Sequence, residues 1–230
     1  MNFQLERLIP KQVPWFSKRL IDEHLLRYQF TRRFIAGKVV LDLGCGVGYG
    51  CLEMAKSGAK KVVGIDVSYE AIKYAKRHYS HPKVRYIVAD AIKTGLVKAS
   101  FDTVVCFETL EHVADVTGLV TEAQRLLKDE GIFIVSTPNR ETLLVDNPFH
   151  KKEYTLEELQ RLLSCFSKVE WYGQRMVNLK IIEFYKKISK IVPSFLRILL
   201  HFRPWERLEI RKLRSTNDTS FLYFICISKK

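Results

Sequence analysis

VVLDLGCGVGYG, residues 39–50, is the stretch that decides the fold. An apolar run ends in an acid, Asp42, and then in glycines at every second position: Gly44, Gly46, Gly48 and Gly50. β-Branched and apolar residues bounded by Gly37 and Lys38 predict a buried parallel strand. The glycines predict a turn against which a ligand can lie, because a residue without Cβ takes positive φ and lets the main chain be approached closely. A helical pattern over 49–57 then sets the positive end of a helix beside that ligand. A nucleotide-like cofactor fits such a cradle.

Spacing narrows the nucleotide. A dinucleotide fingerprint needs Gly-x-Gly-x-x-Gly or Ala, but the required place holds Tyr49 after Gly44 and Gly46, and Cys51 after Gly46 and Gly48. No Gly-Lys-Ser/Thr follows either, which excludes a P-loop. Asp42, two residues before the glycines, would repel a pyrophosphate and could hold an ammonium group directly or through water. A second apolar strand, 62–66, ends in Asp66, where an acid suits a ribose diol. A third, 84–89, ends in Asp90, placed to receive an exocyclic amine.

Three acids at three strand ends with this glycine spacing resemble the class I S-adenosylmethionine-dependent methyltransferases, over roughly residues 38–169. The resemblance implies that Asp42 with Gly44, Cys45, Gly46 and Gly48 cradles the methionyl part of S-adenosylmethionine. By the same likeness Asp66, with Val67, holds both ribose hydroxyls. Asp90 and Ala91 take the adenine, and Phe107 joins the cofactor site.

The rest of the chain agrees with one such domain. With 230 residues, 47% of them hydrophobic, it can bury one sizeable core. Five cysteines without a Cys-x-x-Cys pair read as reduced core residues of a cytoplasmic protein. The first twenty residues place charges and prolines where a signal peptide needs an unbroken apolar stretch. The net charge of +13 is uneven. Residues 1–40 hold eight Lys/Arg against three acids, 180–214 hold ten against three, and 41–179 hold eighteen of each. A neutral core with basic flanks points to an anionic partner met by the flanks.

Residues 17–35 predict an amphipathic helix capped by Ser17, with Leu20, Leu25, Leu26, Phe30 and Phe34 on its apolar face. Strands and helices then alternate: a helix capped by Ser68 to about residue 79, a strand over 101–107, a helix over 115–128 closed by Glu130-Gly131, and a strand over 132–136. Such alternation predicts an α/β fold with a parallel sheet covered on both faces. Thr155-Leu-Glu-Glu signals another capped helix, and strands are expected over 166–172 and 221–227. In the family these last two form an antiparallel edge hairpin. The expected fold is therefore Rossmann-like: a doubly wound, mostly parallel, seven-stranded sheet. The division is an N-terminal helical extension over 1–37, a cofactor-binding core over 38–174, a basic, apolar helical insert over 175–214 and the last strand in 215–230, all one domain.

The methyl should meet its acceptor after the fourth strand, at Glu108-Thr-Leu-Glu111-His112. Three- and four-residue spacing would put Glu108, Glu111 and His112 on one helical turn, with His150 as a fourth member. Two carboxylates and two imidazoles could hold magnesium, manganese or zinc. The set resembles two subgroups in which such ligands are assigned, small-RNA 3′-terminal 2′-O-methyltransferases and quinone-biosynthesis O-methyltransferases. It equally suits metal-free relatives whose glutamate and histidine orient a loop or act as bases. A hydroxyl acceptor must lose a proton, and Glu108, His112 and His150 are the candidates for that duty.

Residues 178–202 interleave apolar side chains with Lys180, Lys186, Lys187 and Lys190, and Pro193 interrupts them. The stretch is too broken by charge and proline to span a bilayer. It suits a helix lying on a membrane surface or folded over the site as a lid. Its aromatics sit among aliphatics, which fits lipid better than RNA bases. The sequence thus predicts a methyltransferase, cytoplasmic or peripheral at the inner membrane surface, that acts at oxygen on an amphipathic or lipid-linked small molecule. The alternatives are a metal-dependent RNA 2′-O-methyltransferase and a non-catalytic membrane-surface protein that keeps the fold.

Overall fold

The computed structural model describes residues 18–143, 147–176, 209–213 and 221–230. The expected Ser17 cap and nearly all of the basic insert lie outside them. Helices α1 (Lys18–Phe30) and α2 (Arg32–Ile35) precede strand β1 (Val39–Leu43). There follow α3 (Tyr49–Lys56), β2 (Lys61–Asp66), α4 (Tyr69–His78), β3 (Val84–Val88) and β4 (Phe101–Phe107). The chain goes on through α5 (Val116–Leu126), β5 (Leu127–Pro138), α6 (Leu156–Leu162), β6 (Lys168–Met176), β7 (Ile210–Lys212) and β8 (Phe221–Lys229).

The strands form one sheet in the order β3-β2-β1-β4-β5-β8-β6-β7. The first five are parallel, and β8 runs antiparallel to both β5 and β6. Among the described residues eight strands replace the expected seven. The extra one, β7, lies inside the segment expected to be helical and pairs Ile210, Arg211 and Lys212 with Gln174, Gly173 and Tyr172. Three residues, two of them basic and exposed, carry too little alternation to announce a strand, and they suit a charged sheet edge.

Period-two alternation splits the core into two layers. Leu41, Val104 and Phe133 point toward α5 and α6, while their neighbours Val40, Val105 and Ile134 point toward α1 and α3. A strand buried on both faces reads mostly as an apolar run, as Val39 to Leu41 of β1 and Val104 to Phe107 of β4 do. Ser68 and Thr155 cap α4 and α6 as expected, and Thr155 forms a full capping box with Glu158.

Two helices end earlier than their patterns suggest. The expected 17–35 helix breaks at Thr31, whose hydroxyl donates to the Tyr28 carbonyl at 2.6 Å; a hydroxyl that bonds its own backbone competes with the helix ladder. α5 stops at Leu126 because Leu127 is already extended and paired with Phe101. The orientation of α1 also differs. Its expected apolar face, including Leu25, Leu26 and Phe30, is only half-buried, whereas Ile21, Glu23, Arg27 and Tyr28 are buried. Polar residues go inside here because α1 packs over a polar part of the sheet end.

Candidate active site

A cavity of about 870 Å³ opens beyond the carboxyl ends of β1 to β4. The strand order reverses between β1 and β4, and crevices at such switch points are where doubly wound sheets take ligands. The loop after β1 is tied to β2: Gly44 and Cys45 N–H both donate to the Ile65 carbonyl, at 3.0 and 2.8 Å. Asp66 completes the tie by accepting from Gly46 N–H at 3.0 Å and from Ser68 N–H at 2.8 Å. Gly44 has φ 86°, and a Cβ there would collide with Thr109 in the loop after β4. Glycine is the residue type that satisfies both conditions.

The cavity gathers most of the expected cofactor residues: Gly44, Cys45, Gly46, Asp66, Val67, Asp90, Ala91 and Phe107 all line it. Asp90 is exposed and accepts from Ile92 N–H at 2.9 Å, which turns the chain back over the cavity. Asp42 and Gly48 are not brought to the cavity wall. Gly48 opens α3, and its carbonyl accepts from the Tyr86 hydroxyl.

Asp42 lies beneath the loop, fully buried, with its carboxylate held in an internal network. The Cys51 thiol donates to its carboxylate at 3.2 Å and the Tyr28 hydroxyl at 3.3 Å. Burial raises its pKa to about 7, against the pull of those two bonds and with the help of the Asp66 charge. Gly50, which looked like part of the ligand turn, serves α1 instead: a Cβ there would collide with the Tyr28 ring.

At the other end of the cavity the chain leaves β4 through Glu108, in the left-handed region at φ 49°. Such a conformation costs a non-glycine residue about 1–2 kcal/mol and persists because Ser136 grips the residue twice. The Ser136 carbonyl accepts from Glu108 N–H at 3.1 Å, and its hydroxyl donates to Glu108 Oε1 at 2.7 Å. Arg27 approaches the same oxygen at 4.0 Å. Arg27 is fully buried, donates to Gln174 Oε1 at 2.6 Å and stacks over the Tyr223 ring at 4.6 Å.

The expected four-membered cluster becomes three. Glu111, His112 and His150 bring one ligand atom each to within 4.8 Å of one another, and Glu108 stands apart with Ser136 and Arg27. Glu108 stands before the short 3-10 helix Leu110–His112, and its left-handed backbone sends its side chain to Ser136, away from Glu111. Glu111 is buried and accepts from the Thr137 hydroxyl at 3.0 Å. Burial, and then the Glu108 charge, push its carboxyl well above the usual range. His112 Nδ1 lies 3.0 Å from the Phe149 carbonyl, so it carries the proton there and leaves Nε2 as the acceptor nitrogen. His150 Nδ1 faces Glu153 at 3.1 Å and its Nε2 faces the Asn147 amide at 2.9 Å. Glu111, His112 and His150 could hold a divalent cation; the ion would keep Glu111 in its charged form and would take the place of one of the two partners now on His150, Glu153 or Asn147.

Sequence reasoning missed the wall made by α1. His24 and Tyr28 line the cavity from one face of that helix, and Tyr49 and Tyr223 complete an aromatic surface beside Phe107. Their signal is weak in sequence because they come from elements far apart in the chain.

Comparison with known proteins agrees with this geometry. Residues 41–135 match a family described as a methyltransferase domain. A probable S-adenosylmethionine-dependent methyltransferase of Mycolicibacterium smegmatis is 34% identical over 166 residues, covering 69% of this chain and 62% of that protein. A ubiquinone biosynthesis O-methyltransferase of Thiobacillus denitrificans is 40% identical over 146 residues, covering 62% of each. The chain thus spans about six-tenths of the length of these curated relatives. Among solved structures, a SAM-dependent methyltransferase from Archaeoglobus fulgidus superposes with TM-score 0.63 at 19% identity, over 94% of this chain and 98% of the other.

Proposed function

We infer that this chain, a member of the S-adenosylmethionine-dependent methyltransferase family, transfers the cofactor's methyl group to an oxygen of an amphipathic or lipid-linked small molecule. The observation that carries the reading is the single cavity joining the glycine turn, Asp66 and Asp90 at one end to Glu108, Glu111, His112 and His150 at the other. The likeness in sequence to ubiquinone biosynthesis O-methyltransferases supports oxygen as the atom methylated.

On this reading Asp66 takes the ribose hydroxyls, and the Ala89 to Ile92 turn holds the adenine. The buried Asp42 carboxylate sets a negative potential beneath the methionyl end, where an ammonium and a sulfonium gather positive charge. Methyl transfer is a direct displacement whose rate comes largely from holding the acceptor in line with water excluded. The attacking hydroxyl gives up its proton to Glu108 or to His112 or His150 at the mouth of the same cavity. A divalent cation on Glu111, His112 and His150 would lower the hydroxyl's pKa. Among the described residues no helix is long and apolar enough to cross a membrane, and all of the segment proposed for membrane contact, 178–214, except residues 209–213 lies outside them.

The test is transfer of radiolabelled methyl from the cofactor into a bacterial membrane lipid extract, with and without a chelator. Label in the organic phase is expected, reduced by chelation and by Glu111→Gln. Label confined to RNA or to water-soluble material would refute the acceptor class. Undiminished turnover after chelation would remove the metal.

A further inference from the structure

His24 stands at the cavity's aromatic end with one ring nitrogen bonded and the other facing the cavity. His24 is half-buried on α1 and lines the cavity. Its Nδ1 lies 3.0 Å from the Tyr49 hydroxyl, and the two rings meet edge to face with centroids 6.4 Å apart. Its other nitrogen, Nε2, has no hydrogen-bond partner among the described residues. Burial, and after it the Arg27 charge, push the imidazole well below its usual range, so the ring is neutral. Tyr49 is held protonated by burial. A phenol both donates and accepts, so Tyr49 can satisfy Nδ1 in either tautomer, and Nε2 can correspondingly give or take a hydrogen bond.

The surroundings specify what Nε2 meets. Tyr28 and Phe107 stand edge to face at 5.1 Å, and Tyr28 and Tyr49 at 6.1 Å. Aromatic walls of this kind favour a flat ring through offset or edge contacts. Nε2 faces the open cavity, so a ligand that fills the cavity takes it out of water; a polar atom desolvated in this way without a partner costs about 1–3 kcal/mol, and the site then discriminates against a ligand that cannot bond it. All of these groups except Tyr49 and Phe107 come from α1, outside the segment 41–135 that matches the family.

We propose that His24 contacts the methyl acceptor directly: Nε2 hydrogen-bonds a hydroxyl on the acceptor's aromatic ring, and α1 thereby sets acceptor specificity. This rests on the methyltransferase reading. It adds a polar contact from the N-terminal helix, supported from behind by Tyr49, to the acids and histidines after β4.

Catechol, a flat ring with two hydroxyls, is the probe. Its affinity is measured by calorimetry on the full chain loaded with S-adenosylhomocysteine, and its methylation by radiolabel transfer. His24→Asn keeps a polar atom near Nδ1 for Tyr49 but cannot reach as far as Nε2, whereas His24→Gln restores that reach. The expected result is a tenfold or greater rise in catechol KM for His24→Asn, substantial recovery in His24→Gln, and S-adenosylhomocysteine affinity within twofold of wild type in both. Equal catechol KM in wild type and His24→Asn, or loss that Gln does not restore, overturns the proposal. So does a wild-type protein that binds S-adenosylhomocysteine and takes up no catechol. Failure of the wild type to bind S-adenosylhomocysteine would overturn the methyltransferase reading instead.

Discussion

The two ends of the cavity are built in different ways. The cofactor end is local: each acid and glycine sits within a few residues of the strand that positions it, and backbone N–H groups do much of the holding, as with Gly46 and Ser68 on Asp66. The acceptor end is assembled from side chains of α1, α3, β4, β5, the 147–151 loop and β8, and its polar groups hold one another. A local site tolerates change in its surroundings, whereas an assembled one depends on buried polar contacts between distant segments.

The largest effect expected from that difference is at Arg27. Arg27→Ala removes a buried guanidinium from Gln174 and Glu108 and should cost about 3–5 kcal/mol in chemical denaturation, the usual result of stripping one partner from a buried charged group. A loss under 1 kcal/mol would mean that the acceptor end is held by packing alone.

Asp42 should give the cofactor end a pH signature of similar size. Its folded pKa is raised to about 7, so the folded state binds the proton more tightly than the unfolded one. Its contribution is complete below the unfolded value near 4 and is lost as pH rises toward 7. At about 1.4 kcal/mol per unit, stability should fall by up to roughly 4 kcal/mol across that window. Asp42→Asn should flatten this part of the profile, and an unchanged slope would place the proton elsewhere.

Gly44→Ala tests how the two ends are joined. A left-handed φ and a collision with Thr109 together should cost about 2–4 kcal/mol, with Thr109→Gly in the same chain recovering part of it. Absence of any recovery would show that the loops after β1 and β4 are not packed as described. The smallest effect is at the helix caps: Ser68→Ala at the cofactor end and Thr155→Ala beside the acceptor end should each cost about 1 kcal/mol. A cap loss that lowers catalysis only in Thr155→Ala would support the contrast between local and assembled ends.

The same contrast explains what could be read from sequence. Motifs at β1, β2 and β3 announce themselves because strand, acid and turn are contiguous, and nearly every element from β1 to β5 falls where its pattern puts it. Glu111, His112 and His150 were legible by residue type, but their grouping without Glu108 depends on the left-handed backbone at Glu108 and on Ser136, which spacing does not reveal. Arg27, His24 and Tyr28 were hidden because α1 carries an apolar stripe that suggests the wrong buried face. β7 was hidden because a three-residue basic strand has no pattern of its own.

Calorimetric titration of the full chain with S-adenosylhomocysteine tests the central claim most directly. The account predicts one site per chain, with Asp66→Ala weakened by about 1–3 kcal/mol through lost hydrogen bonds to a buried ligand and no comparable heat from NAD or ATP. A protein that ignores S-adenosylhomocysteine and S-adenosylmethionine while binding NAD or ATP would contradict it.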